Sequence, residues 1–541
     1  PMLRLMSADL VLDELDDYDL DDLPALTRLV HWAGMLGTRV VLSSATLPPA
    51  LVTGMYLAYR AGRRQFRRNR GTPGSASAEA DIPCLWVDEF GTQVTACADG
   101  NGFMRQHMQF VDKRAARLRA VPPLRRGALL PLAIGSRRPE QQHAEFAAFV
   151  RDACLRLHDA HAEPDPIGGK RVSFGLVRMA NIDPLFDVAT ALFALGAPED
   201  VRIHLCVYHA RFPLLQRSAI EHLLDASFNR RGDGQAVFRL PAIRQALDAS
   251  PERNHLFVVL ASPVCEVGRD WDADWAIAEP SSLRSLIQLA GRVQRHRGQP
   301  PAQPNVLLFD ANLRHFARPG QPAYLRPGYE KPGAGKRAQA FQLASHRLDE
   351  LLEQSEYQAL TALPRVQPRP MGQWKPRHRL ADLEQARTAA SMLSPLRQEG
   401  VELPALEADE AFAAYRYPQA GLTGVLPQQQ PFRHDTLKTT ALAFLPDEDE
   451  EALLLHRIEN DPHTRGRSLY VPVDQSQRHE VALPMGPRIS AWGRFDLMAL
   501  LTEQAGHLDL PLPVCAQRLA TVEVPSSERG WRYHPLLGFS K

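Results

Sequence analysis

The sequence predicts an α/β protein with two parallel-sheet domains, the first incomplete at its N-terminus, and a small α+β accessory domain at the C-terminus. Short apolar runs of strand length recur along the first 310 residues and alternate with stretches of helical spacing. Small, acidic or hydroxyl residues follow several of these runs, as they do where parallel strands end at a ligand site. Strands alternating with helices are typical of a parallel sheet covered on both faces.

The first predicted domain covers residues 1–165. Its first strand is Leu10–Leu12, within "LVLDELDDYDLDDL" (10–23), and its second lies in "RVVLSSAT" (39–46). A helix is expected between them at 24–36, with a proline in its first turn and Gly37 beyond its end. A strand, helix and strand in this order predict a right-handed crossover. A further helix is expected at 49–70, followed by a flexible insertion at 71–80 and a hairpin near 85–96.

The second predicted domain covers residues 166–325 and should be doubly wound. Its expected strands are 171–177, 201–208, 255–261, 275–279 and 305–310, with helices at 183–196, 213–226 and 282–291. Frequent proline and glycine then predict a linker at 326–430, with helical periodicity at 338–362. Residues 431–541 form the predicted accessory domain, with one helix near 494–505.

Composition sets limits on the class of protein. The 541 residues carry a formal net charge of +1, which neither demands nor excludes a nucleic-acid partner. The 6 cysteines are scattered, without a Cys-x-x-Cys pair, as expected of reduced thiols. No apolar run approaches the roughly 18 residues of a membrane helix, so we expect a soluble cytoplasmic protein. Because Pro1 almost directly precedes a predicted core strand, we expect the chain to begin inside a larger polypeptide.

Two acids stand directly after the first predicted strand. Asp13 and Glu14 lie where such a strand would leave the sheet. In nucleoside triphosphatases an Asp at a strand end holds Mg²⁺, and a neighbouring acid can orient the attacking water. A solvated charged loop would explain the later acids of the run equally well, but it explains neither Asp13 nor Glu14. The acids alone are a weak signal and need partners elsewhere in the chain.

The partners occur in the same order as in a known series. Ser44 and Thr46 follow the second strand, Gly268 and Asp270 lie in a loop between two later strands, and "LIQLAGRVQRHR" (286–297) comes last. In that last run we expect Gln288, Arg292 and Arg295 to share one face at a helix end. Guanidinium groups bind phosphate bidentately and stay charged. A solvated basic helix is the alternative for this run taken alone.

The ordered series resembles motifs II, III, V and VI of superfamily 2 helicases. The resemblance implies two RecA-like domains that clamp ATP and Mg²⁺ between them. It assigns Asp13 to the metal and Glu14 to the hydrolytic water, with Arg292 and Arg295 on the opposite wall. It also assigns Ser44 and Thr46 to coupling with strand movement, and Gln288, Gly268 and Asp270 to the nucleotide.

A narrower resemblance rests on "DELDDYD", on the insertion after "SSATLP" and on "VYHARFPLLQR" (207–217). These resemble the signature helicase-nuclease of type I CRISPR interference, in the Yersinia-subtype branch, which carries a fused integrase-subunit-like domain. The resemblance implies ATP-driven 3′ to 5′ movement on single-stranded DNA, with an RNA-guided surveillance complex and the CRISPR integrase as partners. Tyr208, His209 and Arg211 would lie near the DNA. A packing role is the open alternative for His209.

The sequence departs from the family at two points. No Gly-x-x-x-x-Gly-Lys-[Ser/Thr] phosphate loop occurs, since both "GGKR" (168–171) and "GAGKR" (333–337) have Arg after Lys. The His-Asp nuclease ligands are also missing, apart from chance dipeptides at 158–159 and 434–435. We therefore expect both elements upstream of Pro1 and expect this chain alone to be inactive. A generic superfamily 2 RNA helicase and a non-catalytic docking scaffold remain alternative hypotheses.

Overall fold

The computed structural model describes residues 2–70, 81–393, 438–460 and 468–541. The predicted insertion at 71–80, the predicted boundary between residues 430 and 431 and the dipeptide at 434–435 lie outside the described residues. The described chain builds one small parallel sheet, one large sheet, and antiparallel sheets near the C-terminus.

The first unit contains a two-stranded parallel sheet and a hairpin. Its elements are α1 (Met2–Ser7), β1 (Leu10–Asp13), α2 (Leu23–Leu36), β2 (Val40–Ser43), α3 (Pro49–Arg70), β3 (Ile82–Asp88), β4 (Gly91–Cys97) and α4 (Gly100–Arg119). Strands β1 and β2 pair in parallel from Leu10↔Val40 to Asp13↔Ser43. Their carboxyl ends are therefore side by side, as the predicted crossover requires.

Helices α2 and α3 cover one face of this small sheet. They approach so closely that a Cβ on Gly62 would lie 2.1 Å from the His31 carbonyl oxygen, so a larger residue would force them apart. Leu12 is buried on the covered face, whereas Val11 is 60% exposed and Val41 48% exposed on the other. In this chain the first strand is therefore buried on one face only, where the helices pack against it.

The second unit is built on an eight-stranded sheet. Its elements are β5 (Gly127–Leu130), α5 (Pro139–His161), β6 (Glu163–Pro164), β7 (Arg171–Arg178), α6 (Ile182–Leu195), β8 (Val201–Tyr208), α7 (Leu214–Ser227), α8 (Pro241–Asp248), β9 (Asn254–Ala261), β10 (Trp275–Ala278), α9 (Leu283–Ala290), β11 (Val306–Phe309) and α10 (Leu313–Ala317). A strand near the C-terminus, β16 (Ile489–Ala491), joins the edge next to β8. The strand order is β16-β8-β9-β7-β10-β11-β5, with β6 beside β7.

The predicted strands and helices of this unit are confirmed to within one or two residues. The predicted start of the unit at residue 166 was wrong. Strand β5 pairs in parallel with β11, from Gly127↔Val306 to Leu130↔Phe309, and α5 packs into the same core through Phe146 and Val150. The sheet therefore begins near residue 127, because a short edge strand is specified by its distant partner more than by its own sequence.

The segment after the second unit is made of short helices. They are α11 (Lys336–Gln339), α12 (Leu348–Leu351), α13 (Gln354–Gln358), α14 (Leu363–Val366) and α15 (Leu380–Met392). The helical periodicity expected at 338–362 corresponds to short separate helices and not to one continuous helix. The buried Glu330 carboxylate accepts backbone N–H groups of Ala323, Tyr324 and Leu343 at 2.7–2.8 Å, which holds the chain in an irregular path that a regular helix would not follow.

The C-terminal region combines antiparallel strands with two helices. Its elements besides β16 are β12 (Thr439–Pro446), β13 (Leu453–Asn460), β14 (Ser468–Pro472), β15 (Arg478–Glu480), α16 (Leu497–Leu508), α17 (Leu512–Leu519), β17 (Thr521–Pro525), β18 (Trp531–His534) and β19 (Gly538–Ser540). The predicted α+β character is confirmed. In the described part of the chain, no helix has the length and apolarity needed to cross a bilayer.

Candidate nucleotide site between the two units

The acid side of the site is a tight turn at the end of β1. Asp13 ends the strand with an exposed side chain, and Glu14 adopts a left-handed backbone conformation with φ 49°. A short 3₁₀ turn, Leu15–Asp17, follows and buries Asp16. Left-handed non-glycine residues are uncommon, and such strained positions cluster at functional sites. The turn presents Asp13 outward and brings the next carboxylates back over the ends of the strands.

The two predicted coupling residues meet this turn. Ser44 Oγ lies 3.2 Å from Glu14 Oε2 and also contacts the Asp16 carboxylate. Thr46 Oγ1 donates to the other oxygen of Asp16 and is fully buried. The structure therefore brings Ser44, Thr46 and Glu14 together, and it centres them on Asp16, the last acid of the Asp-Glu-x-Asp motif.

The second unit reaches the same turn through α9. Ser282 caps this helix by accepting the Ser285 N–H at 3.1 Å. Arg284 and Gln288 are four residues apart and share one face. Arg284 Nη1 donates to the Asp16 carbonyl oxygen at 2.7 Å, and its guanidinium lies 3.6 Å from Asp17 Oδ1. A side chain of the second unit is thus in direct contact with the acid turn of the first.

Arg292 lies behind this contact and is only 4% exposed. Its Nε donates to the Glu266 carbonyl oxygen at 3.2 Å, and its terminal nitrogens contact the carbonyls of Glu266 and Arg269. Burial and then the nearby Arg295 lower the pKa of Arg292, while Glu14 and Asp17 act in the opposite direction. The Arg292 charge therefore lies within the electrostatic reach of the acid turn.

Arg295 is directed elsewhere. Its side chain is 42% exposed, and its Nε donates to Asp270 Oδ1 at 2.8 Å. The expectation that Arg292 and Arg295 share a helix face with Gln288 was wrong, because α9 ends at Ala290. The chain then pairs Val293 with Ala273 and turns through Gln294 at φ 51°. A strand-like bridge, which the helical spacing did not reveal, sets the direction of both arginines.

The remaining predicted nucleotide residues differ in their availability. The Asp270 carboxylate is occupied by Arg231, Arg295 and His296. Gly268 has φ 65°, the left-handed conformation that glycine adopts without strain, in the loop between β9 and β10. Gln288 Nε2 is buried and makes no hydrogen bond in the described structure, so it is a donor available to a ligand.

Asp17 gives the pocket an unusual carboxyl group. Burial raises the pKa of Asp17 to about 7, opposed by the Arg284 charge and assisted by Asp16, Glu14 and Glu266. One oxygen of Asp17 is buried without a hydrogen-bond partner. The acid turn therefore holds a carboxyl group that changes its charge near neutral pH.

The acids fit a magnesium ion that retains much of its water. Among the described residues no group of three or more His, Cys, Asp or Glu side chains converges as a metal cage. Mg²⁺ in nucleotide sites is bound by one or two carboxylates together with water and substrate phosphates. The exposed carboxylate of Asp13 at the strand end meets this requirement, with Glu14 as its neighbour.

The predicted DNA residues lie at or just beyond the carboxyl end of β8, where His209 contacts the C-terminal region. His209 is fully buried; its Nε2 lies 2.8 Å from the Leu537 carbonyl oxygen, and its Nδ1 accepts the Arg211 N–H at 3.1 Å. Burial lowers the pKa of His209 to about 3. Arg211 pairs with Asp183, and Tyr208 donates to Glu221 at 2.9 Å. In this arrangement all three pack or pair within the protein, which favours the packing alternative for His209.

Comparisons with known proteins bear on the second unit, on the C-terminal region and on the chain as a whole. Residues 171–298 match the family model described as CRISPR-associated nuclease/helicase Cas3, C-terminal, and residues 444–541 match that of the Cas3 subtype I-F/YPEST-like C-terminal domain. The CRISPR-associated nuclease/helicase Cas3 subtype I-F/YPEST of Pseudomonas aeruginosa is 46% identical over 100% of this chain and 48% of its own length. Over its whole length, the chain is therefore similar to part of a Cas3 nuclease/helicase.

A second Cas3 relative, from Pectobacterium atrosepticum, is 40% identical over 99% of this chain and 47% of its own length. The chain therefore spans about half the length of these curated Cas3 relatives. Among solved structures, T. fusca Cas3-ATP aligns over 99% of this chain and 55% of that one, with 17% identity and a TM-score of 0.45.

Sequence reasoning missed several residues around the candidate site. Arg284 precedes Gln288 by one helical turn, and that spacing was the signal available for it. Glu266 is buried in an ion pair with Arg178 at 2.7 Å, but it lies in a loop without helical or strand spacing. Arg365 and Glu384 come from the segment predicted as a linker, where no motif pointed to them.

Proposed function

We propose that the chain is the ATP-dependent motor portion of a Cas3 helicase-nuclease, which moves along single-stranded DNA. The observation that supports this most is the contact of Arg284, one helical turn before Gln288, with the acid turn Leu15–Asp17 that directly follows Asp13 and Glu14. A site divided between two units responds to nucleotide through the separation of those units. The names of the curated relatives, nuclease/helicase, agree with this assignment.

Each side chain has a role that follows from its position. Asp13 would hold Mg²⁺, which neutralises developing charge on the phosphates when bound. Glu14, placed by its left-handed turn beside Ser44, would orient the attacking water. Gln288 supplies an unused donor, and Arg292 brings a buried positive charge whose carbonyl contacts restrict its movement. Arg295 would contribute once its ion pair with Asp270 opens.

Hydrolysis would be converted into movement by opening and closing of the two units. Ser44 and Thr46 hold Asp16, and Ser44 also contacts Glu14. A displacement of Glu14 would therefore shift the residues at the ends of the two strands. The motor would act in the cytoplasm on invader DNA, 3′ to 5′, with the nuclease carried outside this chain. An RNA-guided surveillance complex and the CRISPR integrase are the proposed partners.

The test is Glu14→Gln in the full-length gene product. We expect DNA-stimulated ATP hydrolysis to fall by at least about 100-fold, because the water loses its orienting carboxylate, while ATP binding persists. Glu89→Gln, which removes an exposed acid paired with Arg114, is the matched control and should leave hydrolysis unchanged.

Two other results would overturn the proposal. Hydrolysis that is unchanged in Glu14→Gln would favour a docking scaffold, since a scaffold does not need the acid. Hydrolysis stimulated by RNA and not by single-stranded DNA would favour an RNA helicase.

A further inference from the structure

A chain of three buried charges connects the acid turn to the helix that carries Gln288. Arg365 Nη2 lies 3.6 Å from Asp16 Oδ2, and Arg365 Nη1 donates to Glu384 Oε2. The other oxygen of Glu384 accepts the backbone N–H of Leu283, the first residue of α9, at 2.5 Å. The connection therefore runs from Asp16 through Arg365 and Glu384 to the N-terminus of α9.

The surroundings show that this connection is built into the fold. Asp16 is 3% exposed, and Arg365 and Glu384 are each 2% exposed. Charges removed from water in this way are retained where each has a partner. Arg365 is also fixed through its own backbone, because its carbonyl oxygen accepts from Gln385 Nε2 at 2.6 Å. It therefore has a defined position relative to α15.

Arg365 lies in α14, and Glu384 lies in α15, so both come from the segment that follows the second unit. The two ends of the connection are unequal. Arg365 is hydrogen-bonded to Glu384 on the α9 side, whereas its approach to Asp16 is an ion pair at 3.6 Å without a hydrogen bond. Helix α15 packs in both cores, with Leu383 in that of the second unit and Ala389 in that of the first. The weaker Asp16 contact is therefore the one expected to break first when the units separate.

We propose that Arg365 is a positioning residue that couples the acid turn to α9, so that the state of Asp16 and its hydroxyl partners Ser44 and Thr46 sets the placement of Gln288 and Arg292. This inference rests on the proposed motor function and names the part of the chain that transmits its signal. Arg365 is outside the set of residues proposed to contact nucleotide or metal. It acts through Glu384 on one side and Asp16 on the other.

The experiment uses the full-length protein with Arg365→Gln, Arg365→Lys and Glu384→Gln. We expect DNA-stimulated kcat to fall about tenfold in Arg365→Gln, the size of an ordinary coupling between sites, while the Kd for ATP stays within about twofold. Arg365→Lys keeps the charge and should recover part of kcat. Glu384→Gln should resemble Arg365→Gln, because the anion between Arg365 and α9 is lost.

Arg244→Gln is the matched control, because Arg244 pairs with the fully buried Asp165 inside the second unit. It should lower thermal stability and leave kcat unchanged. If Arg365→Gln behaves in the same way, with lower thermal stability and unchanged kcat, the inference is overturned and Arg365 has only a structural role.

Hydrogen exchange in the same proteins separates this inference from the proposed function. We expect Arg365→Gln to speed amide exchange both in the turn Leu15–Asp17 and in the first turn of α9, even if the wild-type protein hydrolyses no ATP. Absent hydrolysis in the wild type would count against the motor. Faster exchange confined to α14 and α15 would count against the coupling role of Arg365.

Discussion

The two walls of the site differ in how they are supported. The arginine wall, which is the side of the second unit that carries Arg284 and Arg292, stands on an eight-stranded sheet. The inner strands of this sheet are buried on both faces, and the rings of Phe174 and Phe257 stack at 4.9 Å in its core. The acid wall, which is the turn that carries Asp13, Glu14 and the acids after them, stands on two strands. The face of these strands away from the helices exposes Val11 and Val41. A dense core resists small displacements, which fixes the position of α9 and Arg292 within the second unit.

The charges follow the same division. Arg292 is held by carbonyls of its own unit, at Glu266 and Arg269. Asp16 and Asp17 are approached instead by Arg365 and Arg284, which lie outside the first unit. The acids thus depend on contacts that the other part of the molecule supplies. If the two units move apart, these contacts change, and the position of the acid turn changes with them.

The largest expected effect tests the rigidity of the arginine wall. Phe174→Ala removes a fully buried ring and should lower the free energy of unfolding by about 3–5 kcal/mol. Val41→Ala, at a 48% exposed position of the small sheet, should change it by less than about 0.5 kcal/mol. Urea unfolding followed by tryptophan fluorescence measures both, and equal losses would break the comparison.

Acidification should weaken the large sheet at β8 and β9. Burial lowers the pKa of His204 to about 3 and of His255 to about 4, and His204 Nε2 lies 3.0 Å from His255 Nδ1 between these strands. Because the unfolded chain binds these protons near pH 6.5 and the folded chain does not, stability is lost as pH falls from about 6.5 towards 4, by about 3 kcal/mol for one such histidine.

Native-state hydrogen exchange at pH 6.5 and pH 4.5, corrected for intrinsic rates, checks this expectation. Amides of β8 and β9 should lose protection by a larger factor than amides of β10 and β11, strands that contain no histidine. A uniform loss over these four strands would show that the histidine pair does not set the acid sensitivity.

The smallest effect has the opposite sign and belongs to the acid wall. Since burial raises the pKa of Asp17 to about 7 from an ordinary 3.8, the folded chain holds a proton there that the unfolded chain has released. The stabilising contribution is full below about pH 4 and is lost as pH rises through 7. Asp17→Asn should therefore raise the free energy of unfolding at pH 8 by about 1 kcal/mol. It should also flatten the pH dependence of that free energy between pH 4 and 7.

Asp19→Asn removes a carboxylate from the same loop and is the control for a general change of charge. It should leave the slope of the free energy of unfolding against pH unchanged. A slope that is equally steep in Asp17→Asn would mean that Arg284 keeps Asp17 ionised in the folded chain.

Particular elements show how far local pattern reaches. The strands β8 and β9 and the helix α3 were predicted nearly residue for residue, because an apolar run or a helical period is contained within the segment itself. The acids, the hydroxyls and Arg292 were recognised by their order along the chain. The direction of Arg295 was not, because it follows from a bridge between Val293 and Ala273 some 20 residues away.

The sequence alone determined the class of fold, most of the buried strands and the residue types needed at a divided nucleotide site. Only the tertiary structure decided that residues 127–161 belong to the large sheet, that His209 is buried against the C-terminal region, and that Arg365 and Glu384 join the two walls. The physical reason is that periodicity and capping are local. Strand partners about 180 residues apart and ion pairs about 350 residues apart are chosen by the packing of the whole chain.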